Sequence, residues 1–229
     1  MPSKRIDLHM HSTFSDGVLI PGECVRRAVA LQYGALALTD HCDASNLEHT
    51  VLSLIKFARE QARFYPITFL VGVELTHVPP SLIAPLAYRA RELGAQLVVV
   101  HGETVVEPVR NGTNFAAVEC ETVDILAHPG LIEDRTIETA IENEVYLELS
   151  GRSGHCLGNG RLAKRAVEAG AKLVVNSDAH HPSDMFGQAH ASAIAAGAGL
   201  NEEQVQAALI TNPLELVQRC LERNPIVEA

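Results

Sequence analysis

The sequence predicts an α/β protein, a parallel sheet of repeated strand-then-helix units, on three observations. Short apolar runs alternate with longer amphipathic stretches from end to end, the pattern that builds such a sheet. The 229 residues suit one barrel-sized domain over 1–229. Histidines and carboxylates recur just past the apolar runs, at the strand ends where an α/β barrel keeps its chemistry. With 47% apolar and 20% charged residues the chain can bury a sizeable core, which excludes wholesale disorder.

In chain order, runs of strand length and composition lie at 5–8, 35–38, 68–73, 96–100, 124–127, 145–149 and 173–175. Helices are expected to start near Pro21, Asn46, Pro80, Asn114, Ile132 and Gly158. Proline suits a first turn, whose N–H groups have no partner anyway. Gly34, Gly94 and Gly170 are expected to stop helices, because glycine takes the left-handed conformation without a steric cost. After the seventh run the pattern is helical again, with Asn201 as N-cap for 202–210 and Pro213 opening 213–223. The longest irregular stretch, 102–114, carries Pro108, Asn111 and Gly112 and predicts an enlarged loop after the fourth strand.

Eighteen Lys+Arg against 28 Asp+Glu give a net charge of −10. That sign opposes a broad grip on nucleic-acid phosphates and docking on an anionic membrane, so the expected partner is a small phosphorylated substrate held locally, not a nucleic-acid polymer and not a membrane. No run approaches a membrane span and the first residues, MPSKRIDLHMHS, lack a signal-peptide core. The five cysteines form no CxxC pair in a chain too large to need staples, which predicts a reducing, cytoplasmic setting and cysteines that pack as small apolar groups. No feature of the sequence specifies an oligomeric state.

A histidine after an apolar run is, taken singly, more often a hydrogen-bonded structural residue than a ligand. Here position overrides that expectation. Strand one ends in His9-Met10-His11 with Asp16 close behind, strand two in Thr39-Asp40-His41, strand three at Glu74, strand four at His101, strand five at His128, and strand seven runs into Asp178-Ala179-His180. The i, i+2 spacing of His9 with His11, and of Asp178 with His180, puts each pair on one side of an extended segment. Six imidazoles and three carboxylates cannot crowd one mouth without counter-charge, because the carboxylates repel and unpaired buried polar groups are costly. Bound cations meet both needs. Nine ligands exceed what one transition metal accommodates, so two to three divalent ions are expected, and an N/O set without thiolate points to Zn, Mn or Fe. Clustered metals of this kind activate water and suit phosphoester hydrolysis.

The motifs His9-Met10-His11 with Ser15-Asp16-Gly17, Thr39-Asp40-His41, Gly72-Val73-Glu74, His101, His128-Pro129 and Asp178-Ala179-His180, in this order, resemble those of the polymerase and histidinol phosphatase (PHP) family. The resemblance implies a distorted (βα)7 TIM-like barrel with a trinuclear metal site at the C-terminal ends of the strands. It implies that His9, His11, Glu74 and Asp178 hold one ion, that Glu74 bridges to a second held by His101 and His128, and that Asp16, His41 and His180 hold the third. Some members carry His where this chain has Asp16.

The sixth strand ends in Glu148-Leu149-Ser150-Gly151-Arg152 without a histidine. Most surface arginines are merely solvated, but one at the rim of a metal mouth can grip two phosphate oxygens, as histidinol-phosphatase-like members do, and Arg152 is expected in that catalytic role. His155, on the same loop, is expected to contact phosphate or protonate the leaving group, against the alternative of a loop histidine with no role. Asp40 reads either as a partner of a ligand histidine or as a turn residue. Glu103 reads either as a base or as a rim charge and stays outside the catalytic set, His49, His77, His181 and His190 read as outside the ligand set, and Gly158-Asn159-Gly160 as a turn before a helix.

The leading expectation is a metal-dependent phosphatase for a small monoester, histidinol phosphate first and a nucleotide or sugar phosphate next. A phosphodiesterase or exonuclease is the alternative within enzymes. A non-catalytic PHP binding module predicts missing ligands, whereas all nine are present, and a carbon–nitrogen hydrolase of the amidohydrolase type predicts a strand-end lysine that none of the seven runs has.

Overall fold

The computed structural model describes residues 4–226. Its strands are β1 (Arg5–Asp7), β2 (Tyr33–Leu38), β3 (His41–Cys42), β4 (Thr68–Leu75), β5 (Leu97–His101), β6 (Ile125–Ala127), β7 (Tyr146–Ser150) and β8 (Leu173–Asn176). All pair in parallel, in the order β1-β2-β4-β5-β6-β7-β8, with β3 also on β4. The extra strand is a continuation rather than a new stave. β2 runs along Thr68–Val71 of β4 and β3 along Glu74 and Leu75, and between them Thr39 leaves the ladder to donate its N–H to the Met10 carbonyl. The expected seven staves are therefore present, the second one broken.

The seam between β8 and β1 makes the barrel distorted and nearly closed. One bridge joins Met10 to Ala179, flanked by His11 N–H donating to Ala179 O and Asp178 N–H to His9 O, both 2.9 Å. Lower down, side chains replace the ladder: Leu8 N–H donates to Asn176 Oδ1 and the buried Arg5 guanidinium to Val175 O, each at 2.9 Å. Both contacts satisfy backbone groups that an open edge would leave unpaired.

The helices are α1 (Pro21–Ala30), α2 (Leu47–Glu60), α3 (Pro80–Leu93), α4 (Thr113–Val118), α5 (Asp134–Glu142), α6 (Asn159–Ala169), α7 (Gln188–Gly197), α8 (Glu202–Gln206) and α9 (Asn212–Arg223), a π-helical segment Ala207–Thr211 joining the last two. Asn201 caps α8 through a reciprocal pair with Gln204. Gly94 and Gly170 end α3 and α6 in the left-handed region as expected. Gly34 does not end α1; it lies inside β2, and Gln32, at φ +62°, makes the left-handed turn instead. α5 starts at Asp134, past the buried Ile132. α7 has no counterpart in the sequence pattern, because an alanine-rich segment carries no apolar stripe.

Strand side chains alternate between two cores. One face packs under the helices through residues such as Leu36, Leu38, Val71, Val73, Val98 and Val100. The other fills the barrel with Ile6, Leu8, Leu70, Leu97, Val99, Ile125, Tyr146 and Val174, and Leu216, Val217 and Cys220 of α9 close it at the N-terminal end of the strands. Two residues further along the inward row, Val99 is followed by His101 and Tyr146 by Glu148, and Leu70 by Gly72 and Glu74. The inward face turns from apolar to polar only at its C-terminal end. Among the described residues no helix is long and apolar enough to cross a membrane.

Candidate metal centre

The nine residues singled out at the strand ends converge on one mouth. Two of them, His128 at φ +29° and Asp178 at φ +53°, take backbone conformations that side-chain-bearing residues rarely adopt, strain of the kind found at functional sites. Asp16 is presented by a tight turn that Asp40 anchors, its carboxylate accepting from Ser12 N–H (2.8 Å), Ser12 Oγ (2.8 Å) and Ser15 Oγ (2.9 Å). Asp40 thus acts on the turn, not on a histidine. Gly17 closes the turn so tightly that a Cβ there would stand 2.5 Å from His11 O.

At the centre, Glu74 and Asp178 face a ring of imidazoles. His9 Nε2 lies 3.2 Å from Glu74 Oε1 and 3.8 Å from Asp178 Oδ1; His11 Nε2 lies 3.2 Å from Asp178 Oδ1 and 3.8 Å from Glu74 Oε2. His128 Nε2 lies 3.6 Å from Glu74 Oε1 and 3.7 Å from Asp178 Oδ2. Toward the rim, Asp16 Oδ1 sits 3.1 Å from His180 Nε2 and 3.4 Å from His41 Nε2. Four groups have potential donor atoms all within 4.8 Å of one another: His9, His11 and Asp178; His9, Glu74 and His128; His11, Asp16, His41 and His180; and His101, His128 and His155.

These side chains fit a metal cluster better than they fit one another. His9 Nε2, both ring nitrogens of His11, His128 Nδ1 and Glu74 Oε1 are buried without a hydrogen-bond partner. His9 Nε2 and Glu74 Oε1 approach to 3.2 Å yet do not point along a hydrogen bond, as two ligands of a common ion would stand. Orphaned polar atoms at this depth are costly unless a cation compensates them. Meanwhile the far nitrogens are tied down. His9 Nδ1 donates to Glu148 Oε2 at 2.8 Å, His41 Nδ1 lies 2.7 Å from Thr76 Oγ1, and His101 Nδ1 donates to Gly102 O at 3.2 Å. Each such bond leaves the other nitrogen free toward the mouth.

Electrostatics here are strongly coupled. Burial opposes a charge on His9, but Glu148, Glu74 and Asp178 together outweigh it and raise its pKa well above 6.5. His41, also opposed by burial, is lifted to about 10 by Glu74 and Asp16. Burial, with the neighbouring His41, drives His11 down to about 3. Burial would raise Glu74 and Asp178, yet the imidazoles around them, His9 foremost, hold both below the ordinary carboxylate range.

Arg152 and His155 both reach this mouth. Arg152 donates from Nη1 to Asp178 O at 3.2 Å and lies 2.7 Å from His180 Nδ1, so its present partners are groups of the site. His155 is buried, its Nδ1 2.7 Å from Thr104 Oγ1, and stands with His101 and His128 instead of at the rim. The mouth encloses about 270 Å³ and shares Arg152 and His180 with a neighbouring cavity of about 780 Å³ lined also by Phe186, His181 and His190. Glu103 lies apart, its Oε1 accepting from Asn114 N–H. His77 contacts Glu107 at 3.5 Å, and His181 caps the short turn Pro182–Asp184. Four cysteines are buried and Cys156 is half-buried, none paired, with burial pushing Cys24 and Cys42 up to about 12.

The sequence reading missed Glu148, Thr76 and Glu107. Glu148 offered the clearest signal, a carboxylate inside an otherwise apolar strand. Glu107 comes from the loop after β5 and sets Oε2 3.1 Å from His101 Nε2, a hydrogen-bonded approach that holds its carboxyl down at about 2.

A family model described as the PHP domain matches residues 7–103. An uncharacterized protein of Methanocaldococcus jannaschii is 46% identical over 94% of this chain and 99% of its own length. The DNA polymerase/3′-5′ exonuclease PolX of Bacillus subtilis is 28% identical over 76% of this chain, a match that spans 34% of that protein. Among solved structures, archaeal ribonuclease P with mature tRNA superposes with a TM-score of 0.68 at 17% identity, covering 96% of this chain and 91% of that one. Histidinol phosphate phosphatase from Lactococcus lactis, complexed with zinc, L-histidinol and phosphate, gives 0.61 at 15% identity, covering 86% and 95%. These relatives correct one expectation. The polymerase/exonuclease is named for work on nucleic acid and the ribonuclease P structure holds tRNA, so a net charge of −10, which describes the whole surface, does not exclude a polymer for this fold. Strand-end histidines and carboxylates gathered in one buried mouth, together with the matched N-terminal motifs, make the chain a member of the PHP domain family of metal-dependent phosphoesterases.

Proposed function

We propose that the protein hydrolyses a small phosphate monoester at this mouth, and that His9, His11, Asp16, His41, Glu74, His101, His128, Asp178 and His180 hold two to three divalent transition ions, Zn, Mn or Fe. The observation that carries the reading is the overlap of four ligand groups, each within 4.8 Å, around buried nitrogens and oxygens with no other partner. Ions held there would activate a water near neutral pH and offset charge on phosphoryl oxygens. The protein does the rest. Glu148, Thr76 and Gly102 O fix the imidazole orientations, and the apolar barrel below keeps the site partly dry, which strengthens every charge interaction in it. Arg152, at the rim, is the group assigned to pair two phosphoryl oxygens, for which it leaves its contacts with Asp178 O and His180. A volume of about 270 Å³ suits the phosphoryl group, and the neighbouring cavity of about 780 Å³ has room for the leaving group beside Phe186 and His190.

A second reading, hydrolysis at the end of a nucleic-acid strand, is favoured by the exonuclease named among the relatives. The test gives the metal-reconstituted protein p-nitrophenyl phosphate, bis(p-nitrophenyl) phosphate and a single-stranded oligonucleotide under one metal. The monoester is expected to turn over fastest. Preference for the diester or the oligonucleotide selects the second reading, and no turnover of any of them under Zn, Mn or Fe removes both.

A further inference from the structure

Two residues outside the nine reach the same corner of the mouth. His155 opens the short helical turn His155–Gly158 after β7, and its side chain is 4% exposed. Its ring stacks on that of His128 at 4.1 Å and stands edge-on to His101 at 5.8 Å. Glu107 straddles the pair, Oε2 3.1 Å from His101 Nε2 and Oε1 3.5 Å from His155 Nε2. The far nitrogens have partners of their own, His101 Nδ1 at Gly102 O and His155 Nδ1 at Thr104 Oγ1, so each ring can keep its proton there and offer the near nitrogen as a lone pair. In that tautomer two lone pairs converge on one carboxylate, a donor set that needs a cation between them; without one, a proton on His101 Nε2 has to bridge to Glu107 instead.

We propose that His101, His128 and His155 hold one divalent transition ion as three imidazole ligands, with the Glu107 carboxylate as a fourth ligand that gives way to a phosphate oxygen. Three nitrogens and one exchangeable oxygen are the donor set of a catalytic site with an open position. The assignment rests on the metal-dependent reading above and alters it: His155 becomes a ligand instead of a phosphate contact. Glu107 is suited to exchange because it rides on the loop between β5 and α4 and is 38% exposed. The loop is also tied to His155. Val106 packs so close to Gly154 that a Cβ on that glycine would stand 3.3 Å from Val106 Cγ1, so displacement of Glu107 is felt at the backbone beside His155.

The experiment titrates chelator-stripped full-length protein with Co(II) and follows the visible absorption band, which reports coordination number and donor type. His155→Ala is expected to weaken one cobalt equivalent at least ~10-fold, since loss of a ligand costs no less than loss of an outer partner. Glu107→Gln, on an exposed loop side chain that does not disturb packing, is expected to keep the cobalt count and shift the band. Inorganic phosphate is expected to shift the band of the parent protein and not that of Glu107→Gln. Wild-type affinity and spectrum in His155→Ala overturn the ligand assignment of His155. An unshifted band in Glu107→Gln overturns that of Glu107. A parent protein that takes up no cobalt overturns the metal-dependent reading itself, a failure distinct from the other two.

Discussion

His9 Nδ1 donates to Glu148 Oε2 at 2.8 Å, and the same oxygen accepts from Asn176 Nδ2 at 2.9 Å. Both groups are fully buried, so the bond fixes which nitrogen of His9 carries its proton and turns Nε2 toward Glu74 and Asp178. Glu148→Gln keeps the shape and loses the anionic acceptor. It is expected to weaken metal binding ~10- to 100-fold while the fold persists, measured by metal titration alongside circular dichroism. Unchanged affinity would mean that His9 is oriented by packing alone.

The raised pKa values of His9 and His41 give pH dependence a definite sign. A group whose folded pKa lies above its unfolded value of 6.5 adds stability that is complete below that value and is lost as pH rises through the folded pKa, about 10 for His41. In chelator-treated protein the melting temperature is therefore expected to fall from pH 6.5 toward about 10. Metal requires both imidazoles deprotonated, so loading releases protons and the stabilisation it brings grows over the same range. Melts that fall over this range without metal and stay level with it check this, and parallel slopes would show that neither histidine meets metal.

Much of this site could be read in the chain because strand-end residues inherit their position from apolar runs. His101 and His128 needed only the end of a valine- or leucine-rich segment, and Glu74 only the period of two that carries Leu70 inward. What escaped depends on contacts between distant segments. Glu148 reads as a charge in a strand until His9, 139 positions away, is seen against it. Glu107 lies on a loop, whose course local sequence hardly constrains. Gly34 reads as a helix stop, but it lies inside β2 at the irregularity between the Arg5–Tyr33 and Ile6–Ala35 pairs, and Gln32 takes the turn.

At the opposite end of the barrel Asp124 gathers three arginines. Its carboxylate accepts from Val98 N–H (2.9 Å), Arg223 Nη1 (2.9 Å), Arg219 Nη2 (3.4 Å) and Arg91, so a buried charge ties α3 and α9 to the start of β6. Asp124→Asn turns an amide donor toward these donors and removes the compensating charge. Breaking a buried pair costs about 3–5 kcal/mol, and the partial exposure of Arg219 and Arg223 lowers the expected loss here to about 2 kcal/mol. Urea unfolding measures it. Metal content is expected to stay at the parent level, because the mouth lies at the other end.

On the proposed reading, Arg152 is the group whose place changes between the arrangement seen here and the working one. A guanidinium only donates, so its 2.7 Å approach to His180 Nδ1 requires that nitrogen to accept. A His180 that offers Nε2 to a metal carries its proton on Nδ1 instead, where Asp178 O, 3.0 Å away, accepts it. Two donors would then face each other, and on the proposed role the guanidinium, 32% exposed, would turn to the phosphoryl group. Arg152→Ala is accordingly expected to keep its metals and lose ~10²-fold or more in kcat/KM, about the effect of deleting one donor to a developing oxyanion. Arg152→Lys is expected to recover only part, since a point charge cannot pair two oxygens in one plane. Elemental analysis and steady-state kinetics on both variants decide the matter. If Arg152→Ala turns over the monoester at the parental rate, the arginine is a solvated rim residue and the phosphoryl group is held without it.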